Sequence, residues 1–157
     1  MLTWGEFRGQ RPDLAQAGSE ILRFAGIGLG FLSTVRKDGG PRLHPICPVI
    51  ADDGLYGLII PSPKLEDLRR DGRYALHSYP LPDNEDACYL TGHAVPRREA
   101  ELWSRVTKAF VDQPGREGPE PDFAGQTLVE FLIETWLITR TKSHGDPNPV
   151  HMIWRAP

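Results

Sequence analysis

Short apolar segments separated by turn-forming residues constrain the fold of this chain more than any other feature of its sequence. The segments 30–36, 42–50 and 55–60 are rich in β-branched and other apolar residues, and an Asp-Gly pair stands in each interval between them. An Asp-Gly pair between two such segments is a strong β-hairpin signal. The sequence therefore predicts that these three segments are consecutive strands of an antiparallel meander.

Four further segments carry a strand pattern. They cover 73–79, 87–95, 127–141 and 151–155, and the third is long enough for two strands or for one bent strand. Six to seven strands in hairpin order with few helices are typical of a small antiparallel barrel. The chain has 157 residues, which suits one domain of ordinary size. We therefore expect a single, mostly β domain.

Three segments are expected to form helices, two because apolar residues recur in them at intervals of three and four, and the middle one because Ser62 can cap it and Pro63 fits its first position. They cover 13–25, 62–70 and 99–110. Residues 112–125 contain three prolines and three glycines, so we expect an irregular loop there. A loop of this length is a candidate lid over a cleft.

Composition excludes several functional classes. The net charge is -3, whereas nucleic-acid binders carry a basic excess, so no nucleic-acid partner is expected. No apolar run approaches the roughly 18 residues of a membrane span, and the N-terminus has no signal-peptide pattern. Cys47, Cys88 and the five histidines lack metal-ligand spacing, so no metal site is expected. These features predict a cytoplasmic protein with two free, buried thiols.

The predicted strand-to-helix junction at 60–64 is the most informative short motif. Free N–H groups and the helix dipole attract anions to such a position. Ser62 can cap the helix, and Lys64 lies in the first turn, where an unpaired cation is unfavourable. Two interpretations stay open. Lys64 binds an anion such as a phosphate, or it is an exposed lysine whose position costs little folding free energy.

Other candidate residues allow simpler interpretations. Arg42 and His44 share one face of a predicted strand, and they either line a cleft or are a surface arginine and a packed histidine. Glu130 and Glu134 also share a face, and we interpret them as surface or dimer-contact groups. We expect two tryptophans, Trp136 and Trp154, to lie in the core or at a subunit interface.

The sequence from 31 to 80 resembles the pyridoxamine 5'-phosphate oxidase-like proteins, a family of FMN-binding split barrels. The segments 88–94, 128–141 and 153–157 are similar to the same family, so the resemblance covers about 14–157. It implies an antiparallel split β-barrel that binds FMN and works as a homodimer, with a small-molecule substrate in the cleft between the subunits.

The resemblance also implies a set of site residues. In this family, the strand after the first hairpin lies along the flavin. A Ser or Thr and a nearby Lys at the strand-to-helix junction bind the FMN phosphate, and the end of the preceding strand lies beside the ring. Mapped onto this sequence, the implied cofactor-binding residues are Arg42, His44, Ile46, Ile60, Ser62 and Lys64.

Three departures argue against the pyridoxamine oxidase reaction itself. The family's oxidases have an Arg where we align His44 and another where this chain has Pro63, and their C-terminal segment is longer. The expected function is FMN-dependent transfer of electrons or hydride between the flavin and a small organic substrate. The alternative is a non-catalytic carrier or sensor module, because related branches of the fold bind deazaflavin or haem. No catalytic residue is assigned, and His44 is the best candidate for an acid or base.

Overall fold

The predicted strand segments assemble into one antiparallel sheet in a computed structural model that describes residues 1–157. The sheet contains eight strands, β3 to β10, and a separate two-stranded hairpin, β1–β2, precedes it. The strands are β1 (Arg23–Phe24), β2 (Ile27–Gly28), β3 (Gly30–Val35), β4 (Pro41–Ile46), β5 (Val49–Ala51), β6 (Gly54–Ile59), β7 (Arg73–Ser78), β8 (Ala87–Arg97), β9 (Thr127–Arg140) and β10 (Val150–Arg155). The helices are α1 (Trp4–Gln10), α2 (Pro12–Ile21), α3 (Pro63–Arg70) and α4 (Ala100–Val111).

The connection between the edge strands shows that the sheet curls into a split barrel. Its strand order is β4-β3-β7-β8-β9-β6-β5, with β10 also paired to β9. In a flat sheet, the edge strands β4 and β5 would lie about 29 Å apart, since neighbouring strands are about 4.8 Å apart. Only Cys47 and Pro48 join them, and such a link spans about 11 Å at most. The sheet therefore curls until its edges approach, and it stays open because β4 and β5 do not pair.

This connection also corrects one predicted strand. The segment 42–50 was expected to be continuous, but it breaks at Cys47 and Pro48 into β4 and β5. A proline has no N–H to donate to a strand ladder, which favours a break at Pro48. Both cysteines are free, as predicted, and Cys88 is buried, whereas Cys47 is only half-buried.

β9 is one bent strand rather than two, because it contains a β-bulge. Glu134 lies between Ile133 and Thr135, which pair with consecutive residues of β8, and it has no partner of its own. A bulge shifts the alternation of side chains by one position. The core-facing residues therefore change from odd numbers, such as Phe131, to even numbers, such as Trp136.

The interpretation of Glu130 as a surface group is wrong. Glu130 is only 4 % exposed, whereas Glu134 at the bulge is exposed. Glu130 points away from the barrel interior, but α4 covers this part of the outer face. Leu102 and Val106 of α4 form a second apolar cluster with side chains of β5, β6 and β9.

The N-terminal helices cover the main core and differ most from the prediction. Helix α1 was not predicted, although Thr3 and Glu6 form a capping box at its start. The helix predicted over 13–25 ends at Ile21, because the chain then turns into the β1–β2 hairpin through Ala25 and Gly26, which have positive φ angles of 50° and 82°.

Both candidate tryptophans pack against the core. Trp136 is fully buried, and its ring centroid lies 4.7 Å from that of Phe7 in α1. Trp154 is partly buried and lies 4.9 Å from the same phenylalanine ring. As predicted, residues 112–125 form neither helix nor strand. None of the four helices has the length and apolar character needed to span a membrane.

Candidate functional site

A cavity of about 290 Å³ opens where the β4–β5 connection, the start of α3 and the loop 112–125 meet. Lys64 lines one side of it, and Ile46 and Cys47 line another. A different cavity of about 220 Å³, between α2 and the end of α4, contains none of the predicted site residues. The cavity lined by Lys64 is therefore the candidate site, and its apolar walls include Leu29, Leu58, Phe110 and Phe123.

Lys64 has no negative partner in the protein. Its ammonium lies 3.5 Å from the carbonyl oxygen of Pro45, and no carboxylate lies within ion-pair distance. Burial lowers the pKa of Lys64. A half-buried cation that lacks a counter-charge is unfavourable in the free protein, and an anionic ligand in the cavity would compensate it.

The start of α3 adds unpaired N–H groups beside this cation. Ser62 is the N-cap residue, as predicted, but its hydroxyl donates to the carbonyl oxygen of Ile60 at 2.9 Å instead of capping the helix. The first helical hydrogen bond is made by the N–H of Glu66 to the Ser62 carbonyl. The N–H groups of Lys64 and Leu65 therefore have no acceptor in the protein, and they are suited to bind a phosphate.

Arg42 is held by a buried carboxylate rather than by the cavity. Its Nε donates to Asp67 at 2.7 Å, and the hydroxyl of Thr34 and the guanidinium of Arg70 donate to the same carboxylate at 3.0 and 3.2 Å. Asp67 is almost fully buried. Arg42 does not line the cavity beside Lys64. The structure thus gives this arginine a packing role that joins β3, β4 and α3.

His44 has an unpaired ring nitrogen. It lies two residues from Ile46 on the same face of β4, and its Nε2 is buried without a hydrogen-bond partner. Burial lowers the pKa of His44, and the positive charges of Lys64 and Arg42 lower it further. The ring is therefore neutral at pH 7 and can donate or accept one hydrogen bond at Nε2.

The structure brings some of the predicted residues together and separates others. Ile46 and Lys64 line one cavity, and Ser62 lies two residues before Lys64, at the N-cap of α3. Ile60 is 58 % exposed and does not line the cavity, and neither do Arg42, His44 and Ser62.

The aromatic wall of this cavity was not predicted from the sequence. Phe110 lies at the end of α4 and Phe123 lies in the following loop, with their rings edge-to-face at 5.9 Å. The loop is fixed at its other end, where the N–H of Gly115 donates to the carbonyl of Gly26. A side chain at Gly115 would meet the Ala25 carbonyl, so this close approach requires glycine. No local pattern marks these long-range contacts.

Comparisons with known proteins define the fold. No family model matches the sequence, and no curated protein matches it. Three solved structures with this arrangement of strands illustrate what the chain is similar to. A candidate pyridoxamine 5'-phosphate oxidase from Listeria innocua has a TM-score of 0.60 and 16% identity, over 82% of this chain and 97% of the other. An F420 reductase has a TM-score of 0.55 and 18% identity, over 75% and 94%.

A haem-binding protein from Mycobacterium smegmatis is also similar, with a TM-score of 0.66 and 16% identity over 90% of this chain. The chain spans only 58% of the length of that protein. At these identities the similarity establishes the fold, and it agrees with the strand order and the curled, open sheet described above. The protein therefore has the split-barrel fold of the pyridoxamine 5'-phosphate oxidase-like proteins.

Proposed function

We propose that the cavity beside Lys64 binds the phosphate-bearing cofactor FMN and that the protein is an FMN-dependent oxidoreductase acting on a small organic molecule. One observation carries the proposal. The half-buried ammonium of Lys64 has no carboxylate partner, and it lies beside two unpaired N–H groups at the start of α3. A dianionic phosphate supplies both the charge and the acceptors that this position lacks.

The apolar walls of the cavity suit the planar ring of such a cofactor. Phe110 and Phe123 offer aromatic surface, and Leu29 and Leu58 offer aliphatic surface. The two solved structures whose names point to redox enzymes, a pyridoxamine 5'-phosphate oxidase and an F420 reductase, share the fold. Their activities support the choice of a flavin-type cofactor here.

The residues of this chain would bind and orient the cofactor, while bound FMN would supply electron or hydride transfer. Lys64 would offset the negative charge of the phosphate, and the first N–H groups of α3 would donate hydrogen bonds to its oxygens. His44 does not line the cavity, and its neutral ring keeps one hydrogen-bonding nitrogen, Nε2, without a partner. Burial raises the pKa of the Cys47 thiol, which therefore stays protonated at neutral pH and is a poor nucleophile.

A titration with FMN tests the proposal. We expect saturable quenching of flavin fluorescence with one FMN bound per chain, and turnover of the bound flavin by a chemical reductant and oxygen. Absence of saturable binding at micromolar protein concentrations would refute the assignment of this cavity.

The cavity also supports the proposal of a homodimer. Its volume of about 290 Å³ lies at the lower limit of about 300–1,000 Å³ for small-molecule sites, so a second subunit would complete it. Ile60, next to the site, exposes 58 % of its surface and offers apolar contact area.

We expect light scattering to give twice the chain mass of 17.6 kDa. Ile60→Asp should produce monomers, whereas Val150→Asp, at a similarly exposed position on β10, should not. A dimer that survives Ile60→Asp would place the interface elsewhere.

One observation favours a second candidate function, a non-catalytic haem carrier or sensor. The unpaired Nε2 of a neutral His44 has the chemistry of a haem ligand. The haem-binding protein of Mycobacterium smegmatis shares the fold. Titration with haemin separates the two functions, because a Soret band that disappears in His44→Ala would favour the carrier.

A further inference from the structure

A second polar cavity, distinct from the one beside Lys64, lies at the opposite end of α4. Its volume is about 510 Å³, and it opens between the start of α4, the β5–β6 turn and the outer face of β9. We call it the acidic cavity, because five carboxylates and only two arginines line it. The carboxylates are Asp52, Asp53, Glu99, Glu101 and Glu130, and the arginines are Arg97 and Arg105.

Two deeply buried polar side chains open onto the acidic cavity. Tyr56 and Glu130 lie directly opposite each other on β6 and β9, and they are 5 % and 4 % exposed. The hydroxyl of Tyr56 has no hydrogen-bond partner in the protein, although it is not sealed from the cavity. The only polar contact of the Glu130 carboxylate is an ion pair with Arg97 at 3.1 Å. Both side chains are almost fully buried while they line the acidic cavity, so the Tyr56 hydroxyl and the Glu130 carboxylate are available to a ligand there.

The ion pairs around the cavity leave an excess of negative charge. Arg97 also pairs with Glu99 at 2.8 Å, so two carboxylates, Glu99 and Glu130, share one guanidinium. Glu101 has no ion-pair partner within 4.0 Å. Burial raises the pKa of Glu130 against the opposing effect of Arg97, and the nearby carboxylates of Glu99 and Glu6 raise it further. A bound cation would relieve this repulsion.

The geometry favours an organic cation over a metal ion. No three carboxylate, histidine or cysteine side chains of the protein lie close enough to coordinate one metal. The carboxylates are instead distributed around a cavity large enough for several non-hydrogen atoms. An ammonium group has three N–H donors, so it can donate to the Tyr56 hydroxyl, which has no partner in the protein, and to the Glu130 carboxylate, which also pairs with Arg97.

We propose that the acidic cavity binds an organic ammonium ligand, such as an aliphatic diamine, with one ammonium hydrogen-bonded to Glu130 and Tyr56. The second ammonium of a diamine would reach the carboxylates at the rim, of which Glu101 is unpaired. The site is separate from the proposed flavin site and does not depend on it.

Isothermal titration calorimetry with 1,4-diaminobutane at low ionic strength tests this proposal. We expect saturable binding of the diamine and none of 1,4-butanediol, which has the same length without the charges. Glu130→Gln should weaken binding by at least about tenfold, because it removes a charge-assisted hydrogen bond. Tyr56→Phe should weaken it by about threefold or more. Lys64→Ala should leave it unchanged.

Two controls make the outcome decisive. Glu117→Gln removes one negative charge from an exposed position in the loop 112–125. If Glu117→Gln and Glu130→Gln lose the same diamine affinity, the effect reflects the overall charge of the protein and the proposal is overturned. Tighter binding of magnesium chloride than of the diamine would also overturn it. Thermal unfolding checks that each variant is folded. If Glu130→Gln does not fold, the diamine affinity of Tyr56→Phe tests the proposal instead.

Discussion

Replacing Lys64 with alanine should weaken FMN binding by about 1.5–3 kcal/mol, which is roughly 10- to 150-fold. The reason is that the phosphate would lose its only cationic partner in the cavity, since Arg42 is already paired with Asp67. Riboflavin has the same ring and no phosphate, so its affinity should change little. The ratio of the two dissociation constants, measured by fluorescence titration, therefore isolates the phosphate contact.

The same substitution should not destabilise the protein without cofactor. The ammonium of Lys64 is half-buried and has no carboxylate partner, so its removal eliminates a desolvated charge and not an ion pair. Lys142→Ala, at an exposed position in another loop, is the matched control and should leave both affinities unchanged. Lys64→Arg should retain most of the preference for FMN. Equal losses of FMN and riboflavin affinity in Lys64→Ala would show that Lys64 shapes the cavity and does not bind phosphate.

The sequence predicts most of the strands of this fold because their signals are local. The Asp-Gly turns between β3 and β4 and between β5 and β6 define hairpins within a few residues. The break at Pro48 has a local cause that the strand pattern alone did not indicate, whereas the bulge at Glu134 results from how β8 pairs with β9, which no short window reveals. The limits of the helix over 13–25 were wrong for a similar reason, since the β1–β2 hairpin ends it early.

The candidate site divides in the same way. Lys64 is conspicuous in the sequence because a cation in the first turn of a helix conflicts with the helix dipole. Asp67, in contrast, looks like an ordinary helix residue, and its contact with Arg42 joins positions 25 residues apart. Phe123 lines the cavity beside Phe110, 13 residues earlier in the chain, and the loop between them contacts the β1–β2 hairpin at Gly115. Long-range packing decides these contacts, so local pattern could not predict them.

Replacing Asp67 with alanine should lower the free energy of unfolding by about 2–4 kcal/mol. This carboxylate is almost fully buried, and it accepts hydrogen bonds from Thr34, Arg42 and Arg70. Removing one member of a buried ion pair costs about 3–5 kcal/mol when the remaining charge stays buried. Here Arg42 and Arg70 are 31% and 38% exposed, so water can partly solvate them, and the expected cost is somewhat smaller. Chemical denaturation measures the difference.

The dependence of this loss on pH distinguishes an ionic contribution from simple loss of packing. Burial raises the pKa of Asp67, but the hydrogen bonds from Arg42, Thr34 and Arg70 outweigh burial and hold the pKa below its usual value of 3.8. The unfolded chain therefore binds a proton more readily, and the stabilisation is present above pH 3.8 and is lost as the pH falls through the lower folded-state value. The difference in unfolding free energy between the wild type and Asp67→Ala should accordingly shrink below about pH 4.

Asp67→Asn, which keeps the shape of the side chain and can still accept hydrogen bonds, should lower the unfolding free energy less than Asp67→Ala at pH 7. A difference that stays constant from pH 7 to pH 3 would mean that the carboxylate contributes by filling space, and the charged link between α3 and β4 would then contribute no net stability.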